Sequence, residues 1–554
     1  MDETRPGAEP RATLLPGGLG LVAGALVFTA VRWAFRLRFP SGWYDRSWIN
    51  AFVLGVAAGA LGLSIVRHVA RRRGRPLSAS VETFVASALG LLSIVAWTNL
   101  GNVQYPFHRW EHFTYFIGAK YFRELSYPRI YRCTAVADAE LLGRAAMRGR
   151  TIRDLSTDEV IPASTALADP ADCKRHFSPE RWRAFQADVD FFRQASGPTY
   201  WADMQTDHGF NPPPPWIVAG GALAELAPAS VRTQTLLARI DPLLLIAMFA
   251  LVAWAFGARV LWIALVVWGC QFPASGSWTC GAFLRQDWLL ALVASVCLAR
   301  RRWWVAAGAA LATSSALRVF PALLLVLPAL AAVHHRLRKG SFSAAHRRFA
   351  LGLVLGGAGW FAVSSAIYGV DSWRAFAQHI AAHREASLAN HVGLRAILSQ
   401  TIAGRLAVAR DPGAIDEYRP WREARKAAFA ARRPLYAALV GAAALLLVAA
   451  SRRVRVLWCA LGASALAVVV SVDLASYYYA FFLIVALLAA ASPIEEWLAL
   501  GAVFLSRLVN ALPVLDANPD IRYTLQSYVF LAWAVAALVA LAWCRPARFA
   551  AMRT

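Results

Sequence analysis

Glu111 is a candidate for proton transfer because of the residue types that surround it in the sequence. It lies in the segment 104–122, which combines His108, His112, two further cations and eight aromatic residues. The segment begins where an apolar run ends, so we expect it at a membrane surface. A single carboxylate there could act as a general base, with His108 three residues away on the same helical face. The same composition also fits an interfacial aromatic belt with solvated charges, and these residues alone leave both interpretations open.

A second group of ionisable residues precedes a run of four prolines. Asp203, Asp207 and His208 lead into Pro212-Pro-Pro-Pro215 and Trp216. Each proline fixes φ and removes a donor, so the chain approaches the next apolar run as a stiff, extended segment. This is either a rigid spacer or a device that holds the two aspartates and the histidine near the aromatic segment.

The composition is that of a membrane protein. Of 554 residues, 58% are hydrophobic and only 16% are charged. Apolar runs long enough for helices to cross a hydrocarbon layer recur along the chain, which predicts an all-α polytopic membrane protein. The net charge of +24 is carried mainly by arginines in short loops, which favours membrane orientation over nucleic-acid binding. The seven cysteines form no CxxC pair, so we expect no metal or redox site.

The N-terminal third sets the orientation. The polar residues 1–16 and the length of the first run favour a retained span over a cleaved signal peptide. Runs at 17–35, 48–68 and 80–99 come first, and the basic stretch 67–75 between the second and third predicts a cytoplasmic loop. The N-terminus is then inside and residues 100–212 are outside.

The outer loop contains two helical signals and a cysteine pair. Residues 112–125 predict an amphipathic helix near the interface, and Ser178 before Pro179 predicts a helix start. Cys133 and Cys173 are the only cysteines of this loop. Because an outer compartment is oxidising, we expect a disulfide between them.

Further apolar runs follow, at 213–230, 239–256, 259–274, 283–299, 303–317, 320–335, 347–368, 434–451, 456–472, 475–491, 495–510 and 524–544. Basic clusters at 300–302, 334–348 and 452–455 should be cytoplasmic, which requires an odd number of crossings between the outer loop and Arg300, whereas four runs lie between them. The run 213–230 is therefore predicted to be re-entrant or interfacial, leaving about 14 spans with both termini inside.

The sequence predicts five divisions of the chain. They are the N-terminal spans (1–99), the large outer loop with the catalytic segment (100–212), the transmembrane core (213–368), the second outer loop (369–433) and the C-terminal spans (434–554).

Polar residues collect at the predicted outer ends of the later spans. They are Arg285, Gln286, Asp287, Arg318, Asn390, His391, Arg395, Asp473, Tyr477, Tyr478 and Tyr479. Ionisable groups at membrane depth face a cavity or a partner because burying them alone is costly. They either neutralise one another, as Arg285 and Asp287 could, or converge with Glu111 on one site.

Six short segments, taken in their order along the chain, resemble the GT-C superfamily of polytopic glycosyltransferases. The resemblance is closest to glycosyltransferase family 87, the polyprenyl-phosphate-mannose-dependent mannosyltransferase-like group. The matching segments lie between about residues 80 and 490 and are Glu111-His-Phe-Thr-Tyr-Phe-Ile-Gly118, Phe210-Asn-Pro-Pro213, Arg285-Gln286, Arg318-Val-Phe-Pro321, Asn390-His-Val-Gly-Leu394 and Tyr477 to Tyr479. The family usually has aspartate at Glu111, glycine at Arg285 and lysine at Arg318, and it lacks the first two spans. The two arginine departures keep or add positive charge and so preserve phosphate binding, and the departures leave the sugar specificity open.

The resemblance implies inverting transfer of mannose or a related sugar. The donor would be a polyprenyl monophosphate sugar and the acceptor lipid- or glycan-linked, on the outer face of a bacterial cytoplasmic membrane, with no cofactor, metal or nucleic acid. Arginines suit the leaving phosphate, and one carboxylate suffices to take the acceptor proton. We assign catalysis to Glu111, His108 and His112. We assign substrate binding to Tyr115, Lys120, Asp203, Asp207, His208, Arg285, Gln286, Arg318, Asn390, His391, Arg395 and Tyr478.

Two alternatives stay open at this point. A transporter or lipid flippase would also have many spans, but such proteins usually place polar groups on broken helices near the midplane and show an internal repeat. A related GT-C arabinofuranosyltransferase or a ligase would keep the fold and change the reaction. The sugar, the acceptor and the linkage are not encoded in any pattern of this sequence.

Overall fold

The chain is an all-α polytopic membrane protein. A computed structural model describes residues 9–38, 46–100, 106–383 and 386–544, and these are mainly helical, with two small two-stranded sheets. Gln104 and Tyr105 of the predicted catalytic segment, and the first eight residues, lie outside the described residues.

Eight helices in the described ranges are long and apolar enough to cross a membrane. They are Leu14–Leu37, Ser47–Arg72, Ala79–Trp97, Val231–Phe256, Phe320–Lys339, Ala344–Tyr368, Arg433–Ser451 and Pro519–Trp543. Shorter apolar helices cover Ala258–Cys270, Trp304–Leu317, Leu457–Ser471 and Ser476–Ala490, and the remaining predicted runs form Asp287–Arg300 and Pro493–Asn510. Each lies on a run that the hydropathy of the sequence predicts.

The run 213–230 forms only a short helix, Pro214–Ala224, of 11 residues. A helix needs about 20 residues to cross the hydrocarbon layer, so this one is too short to span it unaided. The extended segment that the prolines predict ends at Pro213, because Pro214 and Pro215 occupy the first turn of the helix, where no N–H is needed.

The segment 106–212 folds around an aromatic core. Its central part, from Arg109 to Leu125, consists of consecutive helical turns, and those at Phe113–Ile117 are π-helical. Every residue from His112 to Phe122 is buried, so the prediction of an amphipathic helix on the interface is wrong. The aromatic residues are too many for one stripe, and neighbouring elements cover them on all sides.

The rest of this segment packs around that helix. Its elements are Ile130–Leu142, Arg144–Met147, Ala163–Leu167, Ala171–Lys174, Pro179–Ser196, Pro198–Met204 and the antiparallel hairpin of Thr151–Asp154 with Glu159–Pro162. The predicted helix start is confirmed, since Ser178 Oγ accepts from the N–H of Arg181 at 3.2 Å. The Cys133–Cys173 disulfide is also confirmed.

A strand pair joins the second loop to the late tyrosines. His391–Val392 pairs antiparallel with Leu474–Ala475, immediately before the 3-10 helix Ser476–Phe482. The other elements of the loop 369–433 are Asp371–His383, Leu394–Ser399, Leu406–Ala409 and Arg419–Ala431, and short helical turns lie at Gly276–Thr279 and Pro513–Leu515. The register pairs His391 with Ala475, so two segments that are 84 residues apart in the sequence lie side by side.

Candidate functional site

Glu111 and Arg285 form a buried ion pair. Arg285 Nε lies 2.7 Å from Oε2 of Glu111, and Arg285 Nη2 donates to Oε1 at 3.1 Å. The Arg285 side chain is 3% exposed and that of Glu111 is 13% exposed. Burial raises the pKa of Glu111, and the guanidinium opposes that rise. Of the two alternatives that the sequence left open for Arg285, pairing with Asp287 or convergence with Glu111, the structure shows the contact with Glu111.

Tyrosines enclose the guanidinium of Arg285. Its Nη1 donates to the hydroxyl of Tyr115 at 2.6 Å, and the ring of Tyr477 lies 4.6 Å from its central carbon. Glu111 and Tyr115 are four residues apart on one helical face, which explains how both reach the same arginine. Tyr115 lies in the π-helical turn, a local distortion that is frequent at functional sites.

Asp241 fixes the backbone that carries Arg285. Its carboxylate accepts from the N–H of Arg285 at 3.0 Å and from the N–H of Gln286 at 3.1 Å. The chain is thereby held at the point where helix Asp287–Arg300 begins. Gln286 is buried beside it and, through this amide, helps to orient the arginine.

Arg318 is the second buried cation of the site. It is 6% exposed and donates through Nη1 to the carbonyl of Leu317 at 2.6 Å. Among the described residues, its Nε and Nη2 have no hydrogen-bond partner. Trp216 lies 5.8 Å from its central carbon. A buried guanidinium with free donors can accept an anion without breaking a protein contact.

The two histidines assigned to catalysis have structural partners. Nδ1 of His108 accepts from the backbone N–H of Glu111 at 3.3 Å and caps the helix. In His112, Nε2 is 3.0 Å from the carbonyl of Gly281 and Nδ1 is 2.7 Å from Gln234. Burial lowers the pKa of each to about 4. Both rings are therefore neutral near pH 7, and their hydrogen bonds help to hold the helix that carries Glu111.

The proline-flanked group is only partly brought to the site. Oδ2 of Asp207 accepts from Trp110 Nε1 at 2.9 Å, and its charge contributes to the raised pKa of Glu111. His208 pairs with Asp158 at 2.8 Å, one step further away. Asp203 is exposed, so of the three residues Asp207 alone adjoins the central pair.

The remaining assigned residues divide between the site and its supports. Lys120 pairs with Asp188 at 2.8 Å and donates to the carbonyl of Ala227, which makes it a structural cation. The ring of Tyr478 packs on Trp288 and reaches within 6.0 Å of the Arg285 guanidinium. The structure places both of these contacts inside the helical core.

The second loop supports the tyrosines through its backbone. The carbonyl of Asn390 accepts from the N–H of Ser476 at 3.0 Å. His391 lies in the strand pair, and burial lowers its pKa. Arg395 lies over the ring of Phe429 at 4.7 Å and faces Asp473. These residues position the start of Ser476–Phe482 and lie outside the contacts of Glu111.

Three residues of the site carried a sequence signal that the assignment missed. Asp241 is an acidic residue inside an apolar run, which is itself a sign of function or pairing. Tyr477 adjoins the assigned Tyr478, and Trp216 ends the proline segment. Their contacts with Arg285 and Arg318 depend on how distant helices pack, which spacing alone does not give.

The arrangement defines a class of site within a multi-pass helical membrane protein: two buried guanidinium groups, one carboxylate and an aromatic enclosure. Such a set can bind a phosphate-type anion and accept a proton from a hydroxyl. Within the described ranges, no group of three or more His, Cys, Asp or Glu side chains could hold a metal ion. Comparisons with family models, curated proteins and solved structures give no match for this chain.

Proposed function

We propose that this protein is a GT-C-type glycosyltransferase. It transfers mannose or a related sugar, with inversion, from a polyprenyl monophosphate donor to a lipid- or glycan-linked acceptor. The reaction takes place on the outer face of the bacterial cytoplasmic membrane, with residues 106–212 outside and about 14 spans.

The observation that carries the proposal is the Glu111–Arg285 ion pair beside the unpartnered donors of Arg318. Two arginines and one carboxylate match the needs of this reaction, in which a phosphate leaves and a hydroxyl attacks. A phosphate needs cations but no general acid, because it is a stable anion once released. The aromatic enclosure keeps water out and strengthens each of these interactions.

The reaction step follows from these groups. The acceptor oxygen attacks the anomeric carbon from the side opposite the phosphate and forms the new C–O bond. The bond between that carbon and the phosphate oxygen breaks, and its electron pair stays on the polyprenyl phosphate. Glu111 takes the hydroxyl proton, while Arg285 and Arg318 bind the phosphate oxygens as charge develops on them.

The ion pair couples donor binding to the basicity of Glu111. In the free protein, Arg285 stabilises the carboxylate and so weakens it as a base. A donor phosphate shares the same guanidinium. Part of this stabilisation is then lost, and the affinity of Glu111 for a proton rises when the substrate is present. The acceptor is thereby activated only beside a bound donor.

Transfer by the purified protein tests the proposal directly. The protein is reconstituted in vesicles and offered radiolabelled polyprenyl-phosphate mannose, other polyprenyl-phosphate sugars and, as a control, a nucleotide-linked mannose. We expect label to move to an acceptor lipid or glycan from a polyprenyl donor and not from the nucleotide. Movement of intact donor across the bilayer without transfer would instead support a flippase, and arabinofuranose as the only sugar transferred would identify the related reaction.

A further inference from the structure

A second polar site lies at one end of four packed helices, away from Glu111. A cavity of about 280 Å³ lies where Arg46–Arg72 ends and where Ala79–Trp97, Ala258–Cys270 and Pro493–Asn510 begin. The first two of these helices are candidate spans, so their ends lie at a membrane–water boundary. Much of the wall is apolar and includes Leu63, Ala86, Leu89, Trp262, Ile263 and Leu500.

Charged side chains form the other part of the wall. Arg67 donates to Glu82 at 2.8 Å and also pairs with Glu496. Arg259 pairs with the second oxygen of Glu496, and Ser64 donates to its first oxygen at 2.5 Å. Arg71 is more loosely placed, 3.6 Å from Glu82. The cavity is therefore lined by three arginines and two glutamates.

Among the described residues that line the cavity, three arginines face two glutamates, so one positive charge has no counter-charge within the wall. The side chains of Arg71 and Arg259 are 56% and 39% exposed, so each can still reach an additional anion. Three helix N-termini also meet here, and their dipoles favour negative charge. At a lipid boundary an uncompensated cation attracts the headgroups of anionic lipids.

We propose that this cavity binds one anionic glycerophospholipid. The phosphodiester of the lipid lies between Arg71 and Arg259, and the first part of an acyl chain fills the apolar wall around Ala86 and Leu89. The two features belong together because a free phosphate would use only the charged half, whereas a zwitterionic lipid would bring a choline cation to the same arginines. This site is separate from the proposed transfer reaction and stands whether or not that reaction is found.

Lipid retention measured by native mass spectrometry tests the proposal. The delipidated full-length protein is offered phosphatidylglycerol or phosphatidylcholine at equal mole fraction. We expect one retained phosphatidylglycerol and clearly weaker retention of phosphatidylcholine, because the choline cation faces the same arginines. The double variant Arg71→Gln, Arg259→Gln reverses the charge balance and should weaken retention about thirtyfold. The matched control Arg72→Gln, Arg73→Gln removes the same charge at exposed positions outside the cavity and should retain the lipid.

A second variant separates loss of the site from misfolding. Ala86→Phe leaves every charge in place and fills the apolar half, so it should also release the lipid. In thermal unfolding, phosphatidylglycerol should raise the Tm of the wild type and of the control variant but not that of Ala86→Phe, and inorganic phosphate should have no effect. Equal retention of phosphatidylcholine, equal loss in the control variant, or equal stabilisation by inorganic phosphate would each overturn the proposal.

Discussion

Arg285 holds Glu111 in a two-point ion pair across 174 residues of chain, with contacts of 2.7 Å and 3.1 Å. The contact joins the aromatic helix of the first long loop to the start of Asp287–Arg300. Because both groups are buried, each stabilises the charged form of the other. A change at either residue therefore alters a carboxylate and a phosphate-binding cation together.

Replacing Glu111 by glutamine should nearly abolish sugar transfer. Glutamine keeps the shape and an oxygen for Arg285 but cannot take the acceptor proton, and loss of a general base costs about 10²- to 10⁴-fold in rate. Donor binding should persist, since the arginines remain. Glu111→Asp should keep part of the activity. Transfer rates and donor binding, measured on the same purified preparation, give both quantities.

Asp207→Asn and Asp203→Asn are the matched controls for this experiment. Asp207 adjoins the site through Trp110, whereas Asp203 is exposed. We expect a modest effect at Asp207 and none at Asp203. If Glu111→Gln transfers sugar at the wild-type rate while Asp207→Asn does not, the base lies in the proline-flanked segment.

Much of the fold could be predicted from hydropathy, because the apolar residues that mark each span lie within the span itself. The start of Pro179–Ser196 was equally local, since serine and proline mark it directly. The burial of residues 112–122 could not be predicted locally, because the same aromatic sequence is compatible with contact to lipid and with contact to protein. Fold prediction therefore succeeded where one segment decides its own structure.

The candidate site was predictable only as a set of residue types. Arg285 and Arg318 were found because cations at span ends are costly. The partner of Arg285 could not be identified in this way. Asp287 is the nearer carboxylate in the sequence, whereas the packing of the helices selects Glu111. Lys120 was likewise assigned to substrate binding, but its ammonium group is paired with the carboxylate of Asp188. Pairing depends on long-range geometry that residue spacing does not contain.

Arg318→Gln should weaken donor binding without lowering stability. Two of its buried guanidinium nitrogens have no partner among the described residues, so the substitution removes a buried charge and breaks one hydrogen bond, to the carbonyl of Leu317. Arg425 is the control, because it is equally buried but donates to Gln400 and to the carbonyl of Ala396. We expect a raised KM for donor with an unchanged Tm in Arg318→Gln, and a lowered Tm in Arg425→Gln. The opposite pattern would make Arg318 a structural residue.

Removing the Cys133–Cys173 disulfide should destabilise the folded loop. The bridge spans 40 residues, for which the chain-entropy model gives about 3–4 kcal/mol. The double variant Cys133→Ala, Cys173→Ala should unfold at lower temperature than the wild type, and reductant should lower the Tm of the wild type but not that of the double variant. Cys297→Ala alters a free buried thiol and serves as the control. Thiol labelling of the denatured protein that finds both cysteines free would rule the bridge out.

Reporter insertions at Gly143 and Gly74 should fall on opposite sides of the membrane. Both glycines lie in turns with positive φ and have open space around them, so an insertion there disturbs little packing. The basic stretch around Gly74 predicts the cytoplasm for that site. A reporter that works only outside should be active at Gly143 and silent at Gly74. The reverse result would invert the proposed orientation and place Glu111 on the cytoplasmic face.

Acidification should destabilise the protein through His379 and His383. Burial lowers the pKa of each to about 4, against an ordinary value of about 6.5. The unfolded chain therefore binds protons more readily, so the contribution of each histidine is complete above about pH 6.5 and is lost as the pH falls toward 4. His208, Asp158 and Asp207 also face His383, and the two carboxylates partly offset the effect. His383→Asn removes one titrating group and should reduce the fall in Tm between pH 7 and pH 5, whereas His335→Asn on a remote helix should leave that fall unchanged. An identical fall in wild type and His383→Asn would show that this histidine does not carry the pH dependence.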